Sequence, residues 1–295
     1  MKMLVRGAPI LVLSLFLAAG CSLLALDGAE FSGGGPELDG GQDAAVASDA
    51  DGLDAEEDDD PADDGGSEAG ASRYATTIAG DEPILYWRLG ERNGTTAKAV
   101  VGGDGAYAIA GVALGAPGAL AGDTDTAATF TDGSGRITIE GTAAFDDLAP
   151  FSVEIWANPT ASNTSLGFLV DHTDWSSVDR PGWNLRAGAD GVGFERWASQ
   201  TSRGALGSAA LSVGQWHHVV GTFDGSTMRL YVDGSRVDQG ATAVKIPTRT
   251  STLAVGHQSC ACSAINSFLG AVDELAVYDK ALTEMQISAH YAAAK

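Results

Sequence analysis

The chain has 295 residues, a formal net charge of −22 at pH 7, 39 glycines and three cysteines. That length admits one large domain or two small ones. The acidic balance leaves no basic stripe of the kind nucleic acid requires, and it disfavours direct contact with an anionic membrane surface.

The N-terminus opens with a basic start at Lys2 and Arg6, followed by an apolar run over 9–19 and small residues before Cys21. The run is too short to span a bilayer comfortably and reads as a secretory signal over 1–20. Leu17-Ala18-Ala19-Gly20-Cys21 resembles the lipobox of bacterial lipoproteins, with Ala18 where leucine is commonest. The resemblance implies that Cys21 is acylated and becomes the mature N-terminus, so that the membrane is reached through a lipid anchor only. Ser22, where some relatives carry Asp, implies sorting to the outer membrane. An ordinary secretory signal with a cysteine nearby is the competing reading.

Residues 22–72 hold sixteen Asp or Glu and no Lys or Arg. The segment has few large apolar side chains, so burial cannot offset its ordering entropy, and like charges extend it. The reading for 21–72 is a disordered acidic tether. Asp49-Ala50-Asp51-Gly52 is similar to part of a calcium loop but lacks the alternating ligand set and the distal glutamate.

From Arg73 onward the remaining 23 acidic and 15 basic side chains are ordinary for a folded domain. Short apolar runs follow one another, among them ILYWRLGE, RITIE, FSVEIWAN, GFLVDHT, VGFERWAS, WHHVVGTFD and MRLYVDG. Turn signals such as Asp132-Gly133, Ala189-Asp190-Gly191, Asp224-Gly225 and Asp233-Gly234 separate them. Strand after strand without intervening helix predicts an all-β, two-sheet antiparallel sandwich over 73–295. One short C-terminal helix is expected behind a capping box at Thr283 and Gln286, with Met285, Ile287 and Tyr291 facing the sandwich and His290 at its margin.

In QWHHVVGTFDGSTMRLYVDG, His217 and His218 sit side by side. Successive side chains of a strand leave on opposite faces, so the two point apart and cannot readily share a metal. They read as packing or hydrogen-bonding residues. No Gly-x-Ser-x-Gly elbow, zinc-type histidine spacing or phosphate loop is present.

The stretch HTDWSSVDRPGWNLRAGADGVGFERWAS is the best candidate for ligand binding. Trp175 falls in a polar loop, and Glu195 and Trp197 share one strand face opposite Phe194. Flat aromatic faces with a few directed polar groups suit a sugar. Arg196 is a further candidate, although it points the other way unless the strand bulges. The competing reading has Trp197 at the core edge and Trp175 pinning a loop.

ILYWRLGE, APGAL with AATF, FSVEIWANP, QWHHVVGTFDGSTMRLYVDG and FLGAVDELAVYDKALTEMQI together resemble the laminin G-like domains of the concanavalin A-like lectin/glucanase superfamily. The resemblance implies a jelly-roll and burial of Trp87, Trp156 and Trp216. Glycosidases of that superfamily carry paired carboxylates on one strand. Here Glu154 and Glu195 each stand alone, and Asp273 and Glu274 are adjacent and so expected on opposite faces. Some relatives hold a structural calcium ion; by resemblance Glu91 and Asp273 match two ligand positions, with Asp104 as a substitute for a missing loop aspartate. Cys260 and Cys262 form either a tight Cys-x-Cys bridge or two free thiols.

The expectation is a noncatalytic surface module that binds a glycan or a surface protein, without nucleic acid as a partner. The alternatives are a carbohydrate-active enzyme with an atypical site around Glu154 or Glu195, and a purely structural envelope protein.

Overall fold

The computed structural model describes residues 72–108, 110–143, 148–160, 167–188, 191–247, 250–260 and 267–295. The signal segment, Cys21, the acidic segment through residue 71, the Ala189-Asp190 turn and Cys262 lie outside the described residues. Cys260 is described, and it is disulfide-bonded. No helix among the described residues is long and apolar enough to cross a membrane.

The order begins with a helix, α1 (Arg73–Gly80), then β1 (Leu85–Trp87), β2 (Thr96–Ala97), β3 (Ala99–Val101), β4 (Gly105–Tyr107), β5 (Val112–Pro117) and β6 (Thr126–Phe130). The middle of the chain is β7 (Ile137–Ala143), β8 (Phe151–Pro159), β9 (Gly167–Thr173), β10 (Gly182–Gly188), β11 (Gly191–Ser199) and β12 (Ser202–Ser208). It closes with β13 (His217–Phe223), β14 (Thr227–Val232), β15 (Ser235–Ala241), β16 (Thr250–Val255), β17 (Gly270–Tyr278) and α2 (Glu284–Ala293).

These strands form two antiparallel sheets, as the alternating apolar pattern predicts. The first runs β15-β14-β13-β8-β17-β1-β3, with β6 paired to β17 and β5 to β6. The second runs β12-β11-β10-β9-β16-β7-β4-β2. Between them lies a core built from inward-facing side chains, including Trp87, Phe151, Trp183, Phe194, Phe223 and Leu230. Each such side chain contributes about 1.5–3 kcal/mol by leaving water. Gly221 on β13 is required by this packing: a Cβ there would lie 2.6 Å from the Phe194 ring.

A second apolar cluster sits on the outer face of the first sheet, where Tyr86, Trp156, Val220, Tyr231 and Tyr278 meet Tyr74, Ile78 and Ile287 of the two helices. Helices of 8 and 10 residues are too short to persist alone, so this burial is what holds them. The strand-rich reading missed α1. It is capped by Ser72 Oγ, which accepts from Ala75 N at 3.1 Å, and Arg73 donates to Ala292 O at 2.6 Å near the C-terminal end of α2. The capping box of α2 forms as expected. Its inward face is Ile287, His290 and Tyr291, spaced at helical intervals. Met285 lies two positions out of phase and is 83% exposed, contrary to expectation. His290 is fully buried rather than marginal. Trp87 and Trp156 are buried, while Trp216 is half-buried against the outer cluster.

The two sheets therefore present different outer faces. One is roofed by helices; the other, at β9, β10 and β11, carries the candidate site.

Candidate functional site

Alternation along β10 and β11 sends Leu185 and Phe194 into the core, with Val170 of β9 opposite Leu185. Asn184, Arg186 and Glu195, their neighbours along the strands, face outward. Cross-strand register sets Asp171 beside Asn184 and Asn184 beside Glu195. It also sets Gly182 beside Trp197, and Trp197 beside Arg203 of β12. The loop between β9 and β10 closes with Asp174 N donating to Pro181 O at 2.8 Å, which brings Trp175 over this row.

The result is a cavity of about 370 Å³ whose walls include Trp175, Glu195 and Trp197. All three ligand-binding residues expected from the sequence thus line one concavity. Its size falls in the range of small-ligand sites. A second cavity of about 240 Å³ shares Thr173 and Trp175 with the first and extends to Ser251 and Ser259.

Both indoles are fixed. Trp175 Nε1 donates to Asp171 Oδ2 at 2.7 Å, and its ring meets Phe168 edge-on with centroids 6.0 Å apart. Trp197 Nε1 donates to Glu195 Oε2 at 3.0 Å. Arg180 lies 4.9 Å over Trp175, and Arg203 lies 4.8 Å over Trp197. Arg186 Nη2 pairs with Glu195 Oε1 at 3.1 Å. Gly193 opposite Arg186 makes this possible, since a Cβ there would come within 2.6 Å of Arg186 Nε. Burial pushes the Asp171 carboxyl up to about 6, against hydrogen bonds from Thr173, Ser259 and Trp175.

Sequence reasoning missed Arg180, Arg186, Arg203, Asn184 and Gln258, all of which line the cavity. It offered Arg196 instead. Arg196 stays on the core side of β11, with its guanidinium 3.8 Å from the Phe223 ring centroid. No bulge turns it outward, because the β10–β11 register runs unbroken from Gly182 to Gly188.

The other carboxylate candidates lie elsewhere. Glu154 is fully buried beneath the helices. It accepts from His218 Nε2 at 2.7 Å, lies 3.1 Å from His290 Nδ1 and also accepts from the Tyr278 hydroxyl. His290 Nε2 reaches Asp81 Oδ2 at 2.8 Å. Burial raises the Glu154 pKa, but the charge of His290 and hydrogen bonds from both histidines outweigh that and hold it well below the usual carboxylate range. The same pairing raises the pKa of His290 against the effect of its burial. His217 leaves on the other side and pairs with Asp233 at 2.8 Å, so the two histidines point apart as expected.

The residues matched to a calcium site do not assemble into one. Glu91 accepts from Lys98 N at 2.6 Å and from the Tyr107 hydroxyl at 2.6 Å. Asp104 accepts from Lys98 Nζ at 2.7 Å and Ala99 N at 2.9 Å. Asp273 accepts from Ala119 N at 2.8 Å. Glu274 adopts a left-handed backbone with φ 51°, and the β17–β8 register shifts there. Strict alternation fails at this point, and Asp273 and Glu274 join one cluster instead of opposite faces. Burial and their mutual repulsion push the Asp273 carboxyl up. The cation in that cluster is Arg88, 2.6 Å from Asp123, 3.0 Å from Asp125 and 3.0 Å from Glu274. Among the described residues no three His, Cys, Asp or Glu side chains are grouped to hold a metal, and calcium needs six to eight oxygens.

Comparison with known proteins adds a family and a fold. Residues 123–288 match a laminin G family model described as the concanavalin A-like lectin/glucanases superfamily. No curated protein sequence matches significantly. Solved structures that match include the botulinum neurotoxin serotype D binding domain, at 13% identity and TM-score 0.56, covering 72% of this chain and 52% of that one. The binding domain of Paraclostridial Mosquitocidal Protein 1 matches at 15% identity and TM-score 0.54, covering 70% and 52%. A botulinum neurotoxin serotype D ligand binding domain in complex with N-acetylneuraminic acid matches at 14% identity and TM-score 0.54, covering 73% and 52%. The chain spans about half the length of these structures, and at such identities the likeness is one of fold.

Proposed function

The chain belongs to the laminin G-like family of the concanavalin A-like lectin/glucanases superfamily, and from that premise we propose that it is a noncatalytic recognition module that binds a glycan on the outer face of its second sheet. The observation that carries this reading is the convergence of Trp175, Glu195 and Trp197 on one cavity, with both indole N–H groups anchored to carboxylates. Anchored indoles give a sugar ring a preformed apolar platform, and the polar wall supplies directed hydrogen bonds. The complex of a structurally similar toxin domain with N-acetylneuraminic acid is consistent with it.

The enzyme alternative has little support in the geometry. Glu154 lies under the helices, out of reach of the cavity. Among the described residues Glu195 is the one carboxylate lining the cavity, and it is already engaged by Arg186 and Trp197. A glycosidase needs a second carboxyl group across the scissile bond.

A glycan array tests the reading. Hits are expected that fall at least roughly tenfold in Trp197→Ala and Trp175→Ala. Silence across a broad array, with capture of a defined surface protein instead, would move the function to protein recognition. We also propose that Cys21 carries a lipid that holds the module at the outer membrane, on the strength of the lipobox-like LAAGC alone. Cys21→Ala should then release the protein into the soluble fraction; retention in membranes would remove the anchor.

A further inference from the structure

We propose that the cavity selects an acidic sugar, one bearing a carboxylate or sulfate beside free hydroxyls. The proposal rests on the glycan reading above and goes on to its ligand chemistry.

Charge is the first argument. The domain is acidic overall, yet among the described residues this cavity gathers Arg180, Arg186 and Arg203 against one carboxylate, Glu195. Arg186 has Glu195 as its partner. Arg180 and Arg203 meet indole rings, and neither has an ion pair among the described residues. A neutral ligand entering the cavity would strip water from two cations and return no charge. An anion supplies it, and a guanidinium held over an aromatic ring can still offer its N–H groups to a carboxylate or sulfate in two-pronged fashion.

Backbone geometry is the second. Arg180 has φ 51°, a left-handed conformation that L residues rarely adopt. The loop holds it there: Asp174 N bonds Pro181 O, and Arg180 N donates to Ser177 O at 3.2 Å. Gln200 Nε2 also ties the loop to β11's end through Val178 O at 2.7 Å. That strain is maintained where it aims a cation at the cavity, which fits a site organised in advance.

Hydrogen-bonding capacity is the third. Asn184 and Gln258 are each 3% exposed, and their side-chain oxygens have no partner among the described residues. Arg186 Nε is likewise without one. Buried polar groups left open are expensive. Sugar hydroxyls, which both donate and accept, satisfy an amide in either orientation. The wall is therefore chemically ready for hydroxyls and an anion on one ligand.

The test uses the full-length chain with three probes: a uronate-containing oligosaccharide, the same oligosaccharide after carboxyl reduction, and a sulfated oligosaccharide. Titration calorimetry should show the uronate or the sulfated probe bound at least roughly tenfold tighter than the carboxyl-reduced one, with affinity falling as salt rises. Arg203→Gln and Arg180→Gln should lose that preference at an unchanged melting temperature. Tight binding of the sulfated probe alone would assign the anion as sulfate, and of the uronate alone as carboxylate. Equal affinity for the carboxyl-reduced probe, still lost in Trp197→Ala, would overturn the acidic preference and leave glycan binding standing. No binding of any probe, together with a silent array, would overturn both.

Discussion

The two outer faces of the sandwich are built from similar materials and put to opposite uses. Each carries tryptophan, carboxylates and cations on a β-sheet. Beneath the helices, Trp156 stacks on Tyr291 at 5.9 Å and on His218 at 5.1 Å, and Glu154 is saturated by two histidines and Tyr278. On the open face the carboxylates anchor the two indoles, while neighbouring amides keep oxygens without a partner among the described residues. A polar group satisfied inside the protein stabilises the fold, whereas one left open is available to a ligand. Among the described residues the covered face also keeps polar atoms without a partner, at the Tyr74 hydroxyl, Trp156 Nε1 and His218 Nδ1, but they are buried beneath the helices. The difference between scaffold and site here is therefore one of access to a ligand, not of composition.

That comparison breaks first at Glu154. Glu154→Ala leaves His218 and His290 buried beside an empty space, and removing one partner of a buried charge pair costs about 3–5 kcal/mol. Chemical denaturation should show an unfolding free energy lower by that amount, with loss of α2 packing on the sheet. Trp197→Ala on the open face should lower the same free energy by under about 1 kcal/mol, even though it removes ligand binding. If the two variants were equally destabilised, the open face would be structural.

A pH titration sharpens the same contrast. Glu154 is held below its ordinary pKa of 4.5, so its stabilisation is present above that value and is lost as pH falls toward the folded one. His290 is raised above its ordinary 6.5, so its stabilisation is complete below 6.5 and is lost as pH rises through the folded value. Docking of α2 should be tightest between pH 4.5 and 6.5. On the open face Asp171, raised from 3.8 to about 6, behaves differently: its contribution is complete below 3.8 and is lost as pH rises through about 6, where its buried carboxyl is forced to ionise. Hydrogen exchange, corrected for intrinsic rate, should show α2 amides better protected at pH 6 than at pH 8. Equal protection at both would separate helix docking from the Glu154–His290 pair.

Much of the covered face and part of the open one could be read from the chain. Period-two alternation carried the strands, and the capping box at Thr283 carried α2. The same alternation put Glu195 and Trp197 on one face and separated His217 from His218. More was within reach: the Ala189-Asp190 turn signal implies Gly188 opposite Gly191, and counting back from there places Asn184 beside Glu195 and Arg186 beside Gly193. Gln258 was not legible, because it reaches the cavity from beyond β16 across a non-local pairing. Nor was His290, whose partner Glu154 lies 136 residues away. Asp273 and Glu274 misled for a local reason, since one left-handed residue cancels the alternation that the argument assumed.

The smallest effect expected is that of a chelator. Family resemblance matched Glu91, Asp104 and Asp273 to a calcium site, yet the cluster around Asp273 already contains a cation in Arg88, bonded to three carboxylates. A guanidinium in that place supplies fixed positive charge that no chelator can remove. A metal that bound the folded state tightly would raise the melting temperature in proportion to RT ln(1 + [L]/Kd), and chelation would reverse the gain. Melting with excess chelator and with added calcium should therefore coincide. A calcium-dependent rise would mean that these carboxylates rearrange around an ion, and that the roofed face draws part of its stability from solution instead of from Arg88.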